Sequence, residues 1–379
     1  MMIHRRPVVP RADHADRRTG SHVRPVVAGT ALLMAFVVVA TYLLVGRGVL
    51  NPLSAGTVPT RTVPWHGLPL TGHWHRTSLT VLTNALLGVR HRSAIVAATT
   101  DGMWRSSDGG RTWQRMGLKG RSLVSLAGSI QGDVVIAGSD DGTVYLGVRE
   151  PASSWRWRRI NVSWGAGHPV FSLALAPSGE VVLAGTFGSL YRGTRSGGYW
   201  SWQRVVRTHD DAAVTSLVWL PWAPQHAAGA LFGVWPPALA SADGGRTWER
   251  DGRGLPPTLP TQTLLPVSDP EGHMILTTMG GGVWRQDDRG TWHDFSAGLP
   301  ERHAMPIVAQ PIDRTTVFYA GTMGYGVYAK EGTSSWRRLG EGMEGGQYTA
   351  LGMALVPRPH PSLLIATARG VYRYPVGLR

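Results

Sequence analysis

The chain has 379 residues, 16% charged and 42% hydrophobic, with 49 Gly, 26 Pro, 16 Trp and no Cys. So much apolar surface excludes disorder for most of its length, and the lack of Cys excludes disulfides, thiolate metal sites and thiol nucleophiles. The net charge of +14 is almost wholly arginine, Lys119 and Lys330 being the only lysines; such a charge suits nucleic acid, anionic lipid or acidic polymer, and the compartment must choose among them.

Residues 1–24 form a basic tail with six Arg (Arg5, Arg6, Arg11, Arg17, Arg18, Arg24) and two Asp (Asp13, Asp16). Residues 25–46 carry no charge, and as a helix of about 20 residues they would cross a bilayer core of about 30 Å. The apolar core exceeds the roughly 7–15 residues of a cleaved signal peptide, which favours an uncleaved signal anchor; the small residues at Leu53-Ser54-Ala55 keep cleavage as the alternative. The positive-inside rule predicts a cytoplasmic N-terminus and an extracytoplasmic remainder. Residues 47–71, rich in Pro and Gly, read as a stiffened tether.

From residue 72 to 379 the chain repeats itself. SSDGGRTW at 106–113 returns as SADGGRTW at 241–248, and the terminal Trp recurs as Trp113, Trp157, Trp202, Trp248, Trp292 and Trp336, at intervals of 44, 45, 46, 44 and 44. A second series runs with it, in which an apolar run (SAIVAATT, DVVIAGS, EVVLAGT, HMILTT, TVFYAGT, SLLIATA) is followed by a Gly turn and alternating large residues. That is a hairpin signal, and about four short strands per ~44 residues is the period of a propeller blade. Six Gly turns plus an irregular fourth unit, VWPPALAS, predict seven blades. GHWHRTSLT at 72–80 resembles the strand after the first phrase, so it is expected to supply the last strand of the last blade and close the ring. The fold class predicted is all-β, a seven-bladed propeller closed by an N-terminal strand and preceded by one transmembrane helix.

In the repeated phrase, Ser106, Asp108, Gly110, Thr112 and Trp113, with their counterparts Ser241, Asp243, Gly245, Thr247 and Trp248, read as a structural fastening. Short polar side chains bond their own turn, Gly takes positive φ, and Trp wedges against a neighbouring sheet. An acid repeated with the blade period cannot sit in one pocket, which argues against catalysis or calcium binding. The phrase resembles the Asp-box (BNR) repeat of sialidases, sortilin-type receptors and xyloglucan-cleaving glycosidases. The longer framework, apolar strand, AGT, Gly turn, VYRS, DGG, TW and GLP, resembles the photosystem II stability/assembly factor family over residues 72–379. The resemblance implies the propeller; one propeller hosts many functions.

No catalytic constellation assembles from the sequence. The Arg-Ile-Pro motif of sialidases is missing, the nearest string being Arg159-Ile160-Asn161, and HExxH and G-x-S-x-G are absent. The acids outside turns, Asp210, Asp211, Asp294, Asp313, Glu341 and Glu344, show no glycosidase spacing. No catalytic residue, metal or cofactor is assigned. Loops after the second and fourth strands of each blade should share a face, and Trp164, His168, Arg207, His209, Arg253, Arg302, His303 and Tyr325, with Asp210 and Trp235, are the candidates there for binding an acidic or extended protein segment. The alternative for these residues is a solvated basic rim. Nucleic acid is rejected as a partner because the domain should lie outside the cytoplasm and has no recognition module. The function expected is a non-enzymatic, membrane-anchored binding or scaffold propeller for membrane or secreted proteins. The alternative is a propeller that binds or hydrolyses glycan, and if the chain is an enzyme it is a glycoside hydrolase.

Overall fold

The computed structural model describes residues 66–375, apart from 68, 90–93, 130, 152–153, 166, 211, 234–236, 258, 268–272, 313–314 and 357–361. The basic tail, the apolar segment 25–46 and most of the tether therefore lie outside the described residues, as do Trp235, Asp211 and Asp313. Among the described residues no helix is long and apolar enough to cross a membrane.

The repeat folds as the sequence predicts. Seven antiparallel four-stranded sheets follow one another in chain order. Blades 1 to 6 occupy residues 83–117, 123–160, 172–207, 213–250, 261–294 and 304–338, and blade 7 combines 352–375 with His75–Arg76. The first strand of each blade touches the first strand of the next, and that of blade 7 touches that of blade 1, which closes the ring. The core is distributed: seven apolar clusters each fill one junction between neighbouring blades. Such a ring is stabilised blade against blade, with no single centre.

The sequence framework has a local reason at each point. In AGT and AGS the Gly is forced by the next blade: a Cβ at Gly138 would lie 2.7 Å from Val170, and one at Gly185 2.6 Å from Val214. The Thr or Ser after it is buried and donates to a carbonyl beyond the Gly turn, as in Thr99 to Gly102 (2.8 Å), Ser139 to Thr143 (2.9 Å), Thr278 to Gly282 (2.9 Å), Thr322 to Gly326 (2.7 Å) and Thr367 to Gly370 (2.9 Å). Hydroxyl and amide side chains tie adjacent blades near the axis: Asn84 to Leu123 (2.7 Å), Ser125 to Val170 (2.6 Å), Ser172 to Val214 (2.7 Å), Thr215 to Thr261 (3.2 Å) and Thr277 to Met305 (2.5 Å).

The closure also forms. His75 pairs with Arg373 and Arg76 with Tyr372, and Thr77 adds a backbone bond to Val371 at 3.0 Å. Trp74 is buried and donates to Leu339 of blade 6 at 3.1 Å, which makes it the seventh member of the Trp series, supplied from the other end of the domain. Residues that the sequence places in the tether already belong to the ring: Tyr374 donates to the Pro69 carbonyl at 2.7 Å, and the Gly340 amide to the Leu70 carbonyl at 3.0 Å.

Candidate functional site

The duplicated phrase is a closed hydrogen-bonded turn. Asp108 accepts from the Thr112 amide (3.0 Å), the Thr112 hydroxyl (2.6 Å) and Ser106 (2.8 Å), and Ser106 in turn accepts from the Gly110 amide (2.9 Å). Asp243 repeats this with Thr247 (2.9 and 2.6 Å) and Ser241 (2.9 Å), and Ser241 accepts from the Gly245 amide (3.0 Å). Those donors hold the Asp243 carboxyl well below the usual carboxylate range, and the same bonds lower Asp108 against the opposing cost of its burial. Both acids serve their own turns. Trp113 and Trp248 each donate back to the turn, at 3.1 Å, whereas Trp157 and Trp336 donate to the preceding blade, to Met116 (3.1 Å) and Phe295 (2.8 Å).

Each full turn is also gripped by the blade before it. Arg373 of blade 7 donates to the Gly109 carbonyl at 3.1 Å, and Arg192 of blade 3 donates to the Gly244 carbonyl at 2.8 Å. Gly110 (φ 84°) and Gly245 (φ 77°) press so close on Leu364 and Leu183 that a Cβ would lie 2.6 and 2.8 Å from those side chains. The phrase survives intact where the preceding blade offers this Arg–Leu seat.

The Gly turns and the links between blades do share one face. Isolated bridges join Phe187 to Ala213, Met279 to His303 and Tyr325 to Glu344, each pairing a Gly turn with the segment leaving the same blade. The candidates on this face do not form one site. His168, exposed, sits beside the Gly142 turn, whose Cβ would lie 3.0 Å from its carbonyl. Arg207 and His209 are exposed one link further round, with Asp210 beside Gly188. Arg302 and His303 are half-buried between blades 5 and 6; Arg302 pairs with Asp294 (3.0 Å) and His303 with Glu301 (2.5 Å). Tyr325, half-exposed, lies in the next Gly turn.

Two candidates are placed differently from expectation. Trp164 is 7% exposed, donates to Gly142 at 2.9 Å and packs on Tyr191 and Trp202, so it is core between blades 2 and 3. A Trp in a link has enough apolar area to fold inward when a carbonyl awaits its N–H. Arg253 reaches the carbonyl of Arg289 (3.5 Å) in the turn between the third and fourth strands of blade 5, away from the Gly-turn rim. Gly254 beside it presses on the Trp292 backbone, which carries the link along the outer edge of blade 5.

Two concave features were not foreseen. The first is a cavity of about 280 Å³ at the far end of the channel, lined by Leu86, Leu87, Val89, Leu265, Val308 and Leu355 with their neighbours on the first strands of blades 1, 5, 6 and 7. Consecutive apolar pairs such as Leu86-Leu87 and Ala354-Leu355 break the period-two pattern of a half-buried strand, and that is the signal in the sequence. Trp222, 41% exposed, stands in the turn after the first strand of blade 4, on the same side. The second is a cavity of about 530 Å³ between blades 5 and 6, lined by His273, Arg285, His293, Asp294, Phe295 and Lys330 among others. Lys330 is 2% exposed with its Nζ 4.0 Å from the Phe295 ring centroid, and burial pulls its pKa down to about 8. Its signal was its rarity: it is one of two lysines, directly following the apolar core residues VYA of its strand.

Among the described residues no group of three or more His, Asp or Glu could hold a metal ion. Several carboxylates near basic groups are already paired: Asp287 with His293 (2.8 Å), Asp101 with Arg115 (2.6 Å) and Glu331 with His66 (2.6 Å). Asp140 and Asp251 are pushed up by burial, each offset by hydrogen bonds, and they belong to different blades.

No protein-family model matches the chain, and no curated protein matches it. Among solved structures it is similar to the GH74 xyloglucanase of Xanthomonas campestris, with TM-score 0.60 and 15% identity over 79% of this chain and 53% of that one. It is similar to the extracellular domain of a one component system protein of B. thetaiotaomicron, with TM-score 0.61 and 11% identity over 79% of this chain and 39% of that one. It is also similar to the Cps50 (Swd1) propeller of Myceliophteria thermophila, with TM-score 0.61 and 13% identity over 80% of this chain and 99% of that one. The chain thus spans about half or less of the first two. At these identities the likeness shows the propeller fold, which glycoside hydrolases share with propellers of other kinds, and function has to be argued from the site.

Proposed function

We propose that this chain is a membrane-anchored, extracytoplasmic propeller that binds without catalysing: a scaffold or assembly factor that takes an apolar segment of a membrane or secreted protein. The observation that carries the reading is the apolar channel mouth around Leu86, Leu265, Val308 and Leu355, on the face where the described chain begins at His66. His66 binds Glu331 at the end of the third strand of blade 6, which puts the start of the described chain on that face and not on the Gly-turn face. A concave apolar mouth, with a partly exposed Trp elsewhere on the same face, is the chemistry of a protein contact. The framework's resemblance to the photosystem II stability/assembly factor family supports an assembly role. The carboxylates paired with Arg or His support the absence of turnover.

A photo-crosslinking residue placed at 355, in native membranes, should capture a protein partner, and one placed at 325 on the opposite face should not. Capture at 325 alone would move the binding surface to the Gly-turn rim around Arg302 and His303. Turnover of a glycoside by the purified chain would replace the binding reading with the carbohydrate-active one.

A further inference from the structure

The cavity between blades 5 and 6 lies where two other junctions hold a turn. At the junctions of blades 7 and 1 and of blades 3 and 4, a third-strand arginine of the preceding blade donates to a Gly carbonyl of the incoming turn. Ser362 adds a second donor to the same carbonyl of Gly109, at 3.1 Å. Blade 5 offers a similar seat, with isoleucine where the other two have leucine. Arg285 pairs with Ile275 as Arg373 pairs with Leu364 and Arg192 with Leu183, and His273 holds the place of Ser362. The incoming turn of blade 6, from Lys330 to Trp336, is one residue shorter than that from Ser106 to Trp113 and lacks the Gly-Gly pair. Arg285 instead meets His273 at 3.0 Å, and both line the cavity.

Lys330 stands in the register of Ser106 and Ser241. Its ammonium is buried against the Phe295 ring, and it forms no ion pair among the described residues. The acids on the wall are engaged elsewhere: Asp287 with His293 and its own turn, and Asp294 with Arg302 and the Ser296 amide. Leaving an ammonium buried and unpaired is costly, and an oxyanion beside it is the arrangement that offsets the cost.

We propose that this cavity is a site for a small ligand carrying one anionic group, a carboxylate or a phosphate or sulfate ester, held by Lys330. At about 530 Å³ the space exceeds a bare inorganic ion and falls in the range of small-molecule sites, so the ligand has a body, which Phe295, Thr333 and Ser335 would line. The site is distinct from the channel mouth and stands or falls separately from the partner reading above.

The test is thermal unfolding of the full chain titrated at constant ionic strength with inorganic phosphate, sulfate and acetate. At least one anion should raise the melting temperature saturably in the millimolar range. Lys330→Met should weaken the response at least tenfold while remaining folded by circular dichroism. Thr333→Glu, an exposed change at the cavity wall, should abolish the response through its own carboxylate and guards against a folding defect in the first variant. No saturable response to any of the three anions, or an undiminished response in both variants, overturns the proposal.

Discussion

At the scale of single residues, charge is used for fastening, and Lys330 is the exception. Burial lowers its folded pKa to about 8, below the ordinary value of about 10.4, so between those pH values the unfolded chain binds more protons than the folded one. Stability contributed at this site therefore rises as pH climbs from about 8 to 10, and the full penalty, about 3 kcal/mol, applies below pH 8. Asp294, Arg285, Asp287, His273 and His293 share its surroundings, and their paired charges leave that sign unchanged. Without added anion, Lys330→Met should be more stable than the wild type at pH 7, with the gap closing towards pH 10, as read from urea midpoints. A gap independent of pH would show that the lysine is not buried as a cation. Asp108 acts in the opposite sense: Asp108→Ala strips three bonds from a turn and should cost about 1–2 kcal/mol. Asp243→Ala should destabilise in the same direction. Calcium or EDTA should leave the wild-type melting temperature unchanged, since both acids already serve their own turns; a calcium-dependent rise would return them to the role of metal ligands.

At the scale of strands and blades, the ring depends on close approach between neighbours and on the strand borrowed from the N-terminus. A methyl at Gly321 would collide with Ala350 of the next blade, so Gly321→Ala should cost about 1–3 kcal/mol in equilibrium unfolding. Trp74 anchors the borrowed strand, and Trp74→Ala should cost about 3–5 kcal/mol and expose the open edge of Gly370–Pro375. An unchanged midpoint for Trp74→Ala would mean that the strand is dispensable. This level of organisation was readable in the sequence because periodicity reports it. The Trp series marks the fourth strands, the AGT runs mark the second strands, and GHWHRTSLT marks the closure. The site was less readable, since pairing across blades is not a local property. Nothing near Trp164 in sequence shows that the Gly142 carbonyl awaits its indole, or near Arg302 that Asp294 neutralises it. The cavity beside Lys330 is a comparison between junctions, visible only once the junctions are superposed as Arg373, Arg192 and Arg285.

At the scale of the whole molecule, the ring has two unlike faces. The Gly-turn face carries the scattered basic and aromatic candidates, and its channel end is filled by Phe171, Phe187, Met279, Met305 and Met323. The opposite face carries the apolar mouth and, at its edge, the entry of the chain at His66. The proposed anchoring rests on the sequence alone, in which six arginines precede an uncharged stretch of bilayer length, the pattern expected of a cytoplasmic N-terminus and an exported remainder. If the proposed anchor holds, residues 47–65 could span at most about 60 Å at about 3.3 Å each, which would keep the ring near the bilayer. A partner taken at the apolar mouth would be one that itself emerges from, or passes through, the same membrane. In cells opened only on the outer side, added protease should digest the propeller and spare an epitope fused before Met1. Removing residues 1–46 and supplying a cleavable export signal should release the propeller from the membrane and reduce capture of the partner at position 355 at least tenfold, because tethering raises the effective concentration without any new contact. A propeller protected from outside protease, or capture undiminished on release, would break the link between the anchor and the mouth.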